Sequence, residues 1–127
     1  MTDNALSDLD PRLQIIAQQW LDLCAAAKIN VRITVTYRDA DAQGAAYDKG
    51  LSNAKAGQSP HNCCIDGKPA SRAFDFAVFS DGQYITDGTD LRYRQAGEIG
   101  KSLGLEYGGD WHKPDHDHLQ MSSWKTV

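Results

Sequence analysis

The 127 residues carry 41% hydrophobic and 24% charged side chains, an ordinary balance for one globular domain with its own core. A net charge of −4 argues against nucleic acid or an anionic membrane as the main partner, because both reward a basic surface. No window approaches the run of about 20 apolar residues that a membrane helix needs. Cys24, Cys63 and Cys64 are odd in number, and two are adjacent, so they make no disulfide framework.

The first residues, MTDNALSDLDPRL, lack the basic start and apolar core of a secretory signal, so synthesis and folding in the cytoplasm are expected. Asp10-Pro11 reads as a helix start, an N-cap acceptor followed by proline at the first helical position. Leu13, Ile16, Trp20, Leu23, Cys24 and Ala27 recur at helical spacing and define a core-facing stripe closed by Asn30. Val31, Ile33 and Val35 alternate with Arg32, Thr34 and Thr36, the pattern of a half-buried strand that delivers Tyr37 and Arg38 at its end.

Asp39 can cap a short second helix carrying Gln43 and Tyr47, with Gly50 just past its end. Residues Leu51 to Ser71 are rich in Gly, Ser, Asn, Pro and Lys without sustained periodicity, which predicts a long and functional loop. A strand follows over Arg72 to Phe79, with Phe74, Phe76 and Val78 on one face and Asp75, Ala77 and Phe79 on the other. Ser80-Asp81-Gly82 turns into a short strand near Tyr84-Ile85. Thr89 or Asp90 opens a third helix offering Leu91, Ala96, Ile99 and Leu103 to the core, ended by Gly104. The remainder reads as strand, glycine turn, polar loop and strand. This order predicts a single α+β domain over 1–127 with a mainly antiparallel sheet flanked by helices, and no separate binding module.

Three histidines and three aspartates fall within Asp110-Trp111-His112-Lys113-Pro114-Asp115-His116-Asp117-His118. Imidazole and carboxylate are the ligands a catalytic Zn²⁺ takes in threes, leaving a fourth position for water. On a strand His116 and His118 would share a face, and a third ligand could come from His61 or Asp75. Asp75 sits between two phenylalanines, so its carboxylate needs a cation or strong donors as partner, Arg72 being one option.

Ser59-Pro60-His61-Asn62 followed by Ala73-Phe74-Asp75-Phe76 resembles the Ser-x-His … Ala-x-Asp signature of the D-alanyl-D-alanine carboxypeptidase family of zinc peptidases. That family includes phage L-alanyl-D-glutamate endopeptidases and the vancomycin-resistance dipeptidases. Val35-Thr36-Tyr37-Arg38 with Gln43 and Tyr47-Asp48-Lys49-Gly50 is similar to its Ser-Gly-Tyr-Arg … Gln … Tyr … Gly segment. Leu105-Glu106-Tyr107-Gly108-Gly109-Asp110-Trp111, then Asp115-His116-Asp117-His118-Leu119-Gln120, is similar to its Glu-Trp-Gly-Gly-Asp-Trp … Asp-x-x-His-Phe-Gln end. One departure stands out: thirteen residues, Asn62 to Phe74, separate the histidine from the aspartate, which predicts a hairpin-like excursion.

The resemblance implies a hedgehog-like fold in which His61, Asp75 and His118 hold zinc and Asp115 is the general base. His116 becomes a neighbour rather than a ligand, and His112 faces solvent or stands behind the site. Arg38 would stabilise the oxyanion or anchor a carboxylate, with Ser59 and Gln43 as further substrate contacts. The implied activity is that of an endolysin cleaving the L-alanyl-D-glutamate bond of the peptidoglycan stem peptide. It would act as a monomer on periplasmic wall, released from the cytoplasm of a phage-infected Gram-negative host, with no stable membrane association. The alternatives are a D-alanyl-D-alanine carboxypeptidase or dipeptidase, and a non-catalytic zinc domain that binds the wall. A thiol protein built on Cys63-Cys64 lacks the CxxC spacing.

Overall fold

The computed structural model describes residues 1–52 and 54–126. Helix α1 spans Pro11–Ala26, and the Asp10 carboxylate accepts from the Arg12 backbone N–H, as the sequence predicts for an N-cap. Its buried stripe is Leu13, Ala17, Trp20 and Cys24; Leu23 and Ala27 are exposed, so the apolar face is narrower than the sequence pattern predicts. Asn30 is not the helix end either. Lys28 takes the left-handed conformation (φ 62°) beyond Ala27, and Asn30 already begins strand β1 (Asn30–Val35).

Helix α2 spans Ala40–Asp48, capped by Asp39 through the Ala42 N–H, and Gly50 (φ 73°) turns the chain out of it. Among its described residues, the long loop that follows contains a 3-10 turn at Pro60–Asn62 and then a small hairpin, β2 (Cys64–Ile65) and β3 (Lys68–Pro69). Asp66 and Gly67 both have positive φ at its tip (52° and 76°). This hairpin is the excursion between His61 and Asp75.

Strand β4 (Ala73–Ser80) is the central strand. It pairs antiparallel with β1 along one edge, and with β7 (His118–Met121) and then β5 (Gln83–Ile85) along the other. Strand β6 (Leu105–Tyr107) completes the sheet beyond β7, in the order β1-β4-β7-β6. Phe74, Phe76 and Val78 leave β4 toward α1 and meet Trp20, whose ring centroid lies 5.1 Å from Phe74 and 5.0 Å from Phe76. Buried aromatic rings such as these are large contributors of apolar area to a core. The Trp20 indole N–H donates to the Ala96 carbonyl at 2.9 Å, tying α1 to helix α3 (Leu91–Ser102).

Asp90 caps α3, as one of the two predicted residues. Leu91 is exposed and Tyr93 takes the core position instead, its hydroxyl donating to the Ile85 carbonyl at 2.6 Å. Gly97 and Gly100 let α3 lie directly on the sheet: a Cβ there would stand 2.5 Å from the Tyr107 ring and the Leu119 side chain respectively. One face of the sheet is thus filled by α1 and α3. The opposite face of β4 carries Asp75 toward the site.

Candidate metal centre and cleft

Three adjacent strands and one loop turn meet at the site. Asp75 of β4 and His118 of β7 are direct cross-strand partners, so register alone sets them side by side. His61 arrives on the Pro60–Asn62 turn, and that turn is pinned from several directions. The Ser59 hydroxyl accepts from the His61 N–H, and the Asn62 side chain accepts from the Ser59 N–H, forming a reciprocal cap. The Asn62 amide donates to the Arg38 carbonyl at 2.6 Å, the Arg38 N–H to the His61 carbonyl at 3.0 Å, and the Arg72 N–H to the Pro60 carbonyl at 2.9 Å.

The tautomer of each neutral imidazole follows from its outer partner. His61 Nδ1 lies 2.8 Å from the Thr36 carbonyl oxygen, which can only accept, so Nδ1 carries the hydrogen. Nε2 then points a lone pair at Asp75 Oδ1, 3.2 Å away. His118 Nε2 lies 2.9 Å from Gln120 Oε1, whose amide nitrogen donates to Glu106 Oε2 at 2.9 Å. That chain makes Nε2 the donor and turns the His118 Nδ1 lone pair toward Asp75 Oδ1, 3.0 Å away. His61, Asp75 and His118 each place one ligand atom within 4.8 Å of the others.

Two ring lone pairs and a carboxylate converging on one point are short of positive charge. Burial works against ionisation of Asp75, yet positive charge taken up by the two imidazoles would hold its carboxyl well below the ordinary carboxylate range. Burial likewise opposes the charged form of His118, and Asp75, Asp115 and Gln120 outweigh it, pushing the imidazole up to about 8. The donor set therefore fits a divalent metal, with second-layer hydrogen bonds that fix both ring orientations.

Around this centre runs a cleft lined by Arg38, Trp111, Asp115, Asp117, Trp124 and Lys125 among others. Arg38 Nη1 donates to Gln43 Oε1 at 3.1 Å, and its other terminal nitrogen is 4.0 Å from Asp75 Oδ2. Gln43 is fully buried, and its amide nitrogen donates to Ser52 Oγ and the Ala54 carbonyl. It stands behind Arg38 instead of facing the cleft as the substrate contact expected from sequence. Ser59 lines the cleft, though its hydroxyl is engaged at the turn. Arg72 pairs with Asp10, 3.5 Å away, and not with Asp75.

Asp115 Oδ2 lies 3.9 Å from His118 Nδ1, and its side chain is 45% exposed, placing it beside the centre and open to the cleft. Gly108 permits this approach: a Cβ there would meet the Asp115 carbonyl oxygen at 2.5 Å. Asp117, to which sequence reading gave no role, joins Asp75 and Asp115 in a second group of converging carboxylates. Burial and the neighbouring Asp115 push its carboxyl up to about 8. Its signal in the sequence was its place within the Asp-His-Asp-His run. His116 packs against Gly88 away from the ligands, and His112 is exposed. Cys64 is exposed and Cys63 half-buried; among the described residues no cysteine joins a converging ligand group.

No family model matches the chain. It is 31% identical over 126 residues to the peptidoglycan L-alanyl-D-glutamate endopeptidase CwlK of Bacillus subtilis (strain 168), covering 91% of this chain and 74% of that one. This chain belongs to the peptidoglycan L-alanyl-D-glutamate endopeptidase family. The fold agrees with that membership. The L-Ala D-Glu endopeptidase ChiX of Serratia marcescens superposes with a TM-score of 0.70 at 18% identity, over 92% of this chain and 83% of that one. Family membership and the His61-Asp75-His118 group together make the chain a metallopeptidase.

Proposed function

We propose that this chain is a zinc-dependent peptidoglycan hydrolase that cuts the bond between L-alanine and D-glutamate in the stem peptide. The observation that carries the reading is the His61-Asp75-His118 cluster at the base of an open cleft with Asp115 beside it, in a chain of this family. Two imidazoles and one carboxylate, with room for water and substrate, form the donor set of catalytic zinc peptidases. Bound there, zinc supplies a Lewis acid for the scissile carbonyl and lowers the pKa of a water molecule.

The chain's own groups supply the rest. Asp115 takes the proton from the attacking water and returns it to the departing D-glutamyl amine. Arg38, held in place by Gln43, keeps guanidinium hydrogens free for the oxyanion or for a substrate carboxylate. Trp111, partly exposed with its ring centroid 5.1 Å from that of His118, gives the cleft an apolar wall. The cleft adjoins depressions on two sides, toward His112 and Lys113 and toward Gly57 and Gln58. Room beyond the His61-Asp75-His118 group in both directions suits cleavage within a peptide better than removal of a terminal D-alanine.

Peptidoglycan lies outside the cytoplasmic membrane, so the enzyme acts there. The finer reading, a monomeric phage endolysin released from the cytoplasm to lyse its host, is supported by the resemblance of the Tyr47-Asp48-Lys49-Gly50 segment to phage enzymes. Chelation followed by graded metal return tests the ion. Full recovery with one equivalent of Zn²⁺ is expected; recovery with Mg²⁺ and not Zn²⁺ would overturn the zinc assignment.

A further inference from the structure

Arg38 and Lys125 both line the cleft, and they are held differently. Arg38 is engaged by Gln43 and faces Asp75. The carboxylates Asp75 and Asp115 take Arg38, His61 and His118 as partners, and among the described residues none of them reaches Lys125. Lys125 nevertheless lines the central cleft and also the depression beside it, together with Trp124.

The segment that presents Lys125 is fixed. Strand β7 ends at Met121, whose N–H donates to the Arg72 carbonyl at 2.9 Å, and the Arg72 guanidinium donates to the Trp124 carbonyl at 2.5 Å. Trp124 packs against the core with part of its ring left open, and the Lys125 ammonium lies 5.6 Å from that ring's centroid. An exposed ammonium held beside an indole wall, where the cleft opens into the adjoining depression, is placed to attract an anion.

The substrate proposed above offers such anions on the amine side of the cut. D-Glutamate, joined onward through its side-chain carboxyl, keeps a free α-carboxylate, and a diaminopimelate in third position brings another. We infer that Lys125 is a specificity residue that pairs with a stem-peptide carboxylate on the amine side of the scissile bond, with Trp124 as the wall along which that part of the substrate lies. The inference rests on the endopeptidase reading and adds a subsite to it.

Steady-state kinetics on synthetic stem peptides test it, using wild type, Lys125→Gln and Lys125→Arg. Lys125→Gln is expected to raise KM about tenfold on the fully carboxylated peptide with kcat nearly unchanged, and Lys125→Arg to restore most of the loss. A peptide with the glutamate α-carboxyl amidated, and another with lysine in place of diaminopimelate, identify the carboxylate. The one it reads is the one whose removal makes wild type and Lys125→Gln equal. An unchanged KM in Lys125→Gln, or an equal loss on every peptide including the doubly neutral one, would overturn the assignment while leaving endopeptidase activity intact. Failure of the wild type to cleave any peptide would overturn both readings together.

Discussion

The His61 imidazole donates from Nδ1 to the Thr36 carbonyl across 2.8 Å, and that bond leaves Nε2 with a bare lone pair facing Asp75. A backbone atom at the end of β1 thus sets the tautomer of a side chain on a distant loop. His61→Ala, Asp75→Ala and His118→Ala should each yield a folded protein that retains no stoichiometric metal and hydrolyses substrate at background rate. Metal content by atomic emission, measured beside circular dichroism, checks this. Stoichiometric metal in any of the three would remove that residue from the ligand set.

The Glu106-Gln120-His118 chain does for the second imidazole what Thr36 does for the first. Gln120→Ala should weaken metal affinity by about 10–100-fold while keeping all three ligands. Competition against a chromogenic chelator reads that change directly. Affinity equal to wild type would show that His118 is oriented by packing alone.

Asp115 Oδ2 stands 3.9 Å from His118 Nδ1, beside the His61-Asp75-His118 group and outside it. Asp115→Ala should keep one metal per chain and lose about 10²–10⁴-fold in kcat. Loss of the metal along with turnover, or retention of full activity, would contradict the base assignment.

Much of this was legible in the chain itself. The Asp10-Pro11 start, the β4 alternation that puts Asp75 opposite the phenylalanine face, and the ligand triad came from pattern and family resemblance. Other features were not readable, for physical reasons. Leu23 and Leu91 fit a helical apolar stripe, but the partner sheet covers only a narrow band of each helix, and Tyr93 fills the place beside β5. The period-two pairing of His116 with His118 fails because β7 begins at His118, so His116 precedes the strand. Gln43 reads as a polar helix residue, and only the packed loop around Ser52 and Ala54 reveals that it is buried behind Arg38.

Acid stability should depend on a carboxylate outside the cluster of candidate ligands. The Arg12 side chain, with Arg72 beside it, holds the buried Asp10 carboxyl below its ordinary value despite burial. A depressed native value means that this contribution is present above the unfolded carboxyl's pKa, about 3.9, and is lost as pH falls through the native value. Urea midpoints taken from about pH 6 to 3 should therefore fall more steeply for wild type than for Asp10→Asn. Identical slopes would mean that the ion pair contributes nothing to the acid transition.

The central claim is the bond that is cut. Mass spectrometry of purified muropeptides after digestion, with one sample chelated and one resupplied with zinc, tests it most directly. The account predicts glycan-linked L-alanine with a new carboxyl end and peptides with a new D-glutamyl amino end, absent under chelation and restored by zinc. Release of terminal D-alanine without those ends, or no cleavage by the fully metallated protein, would contradict it.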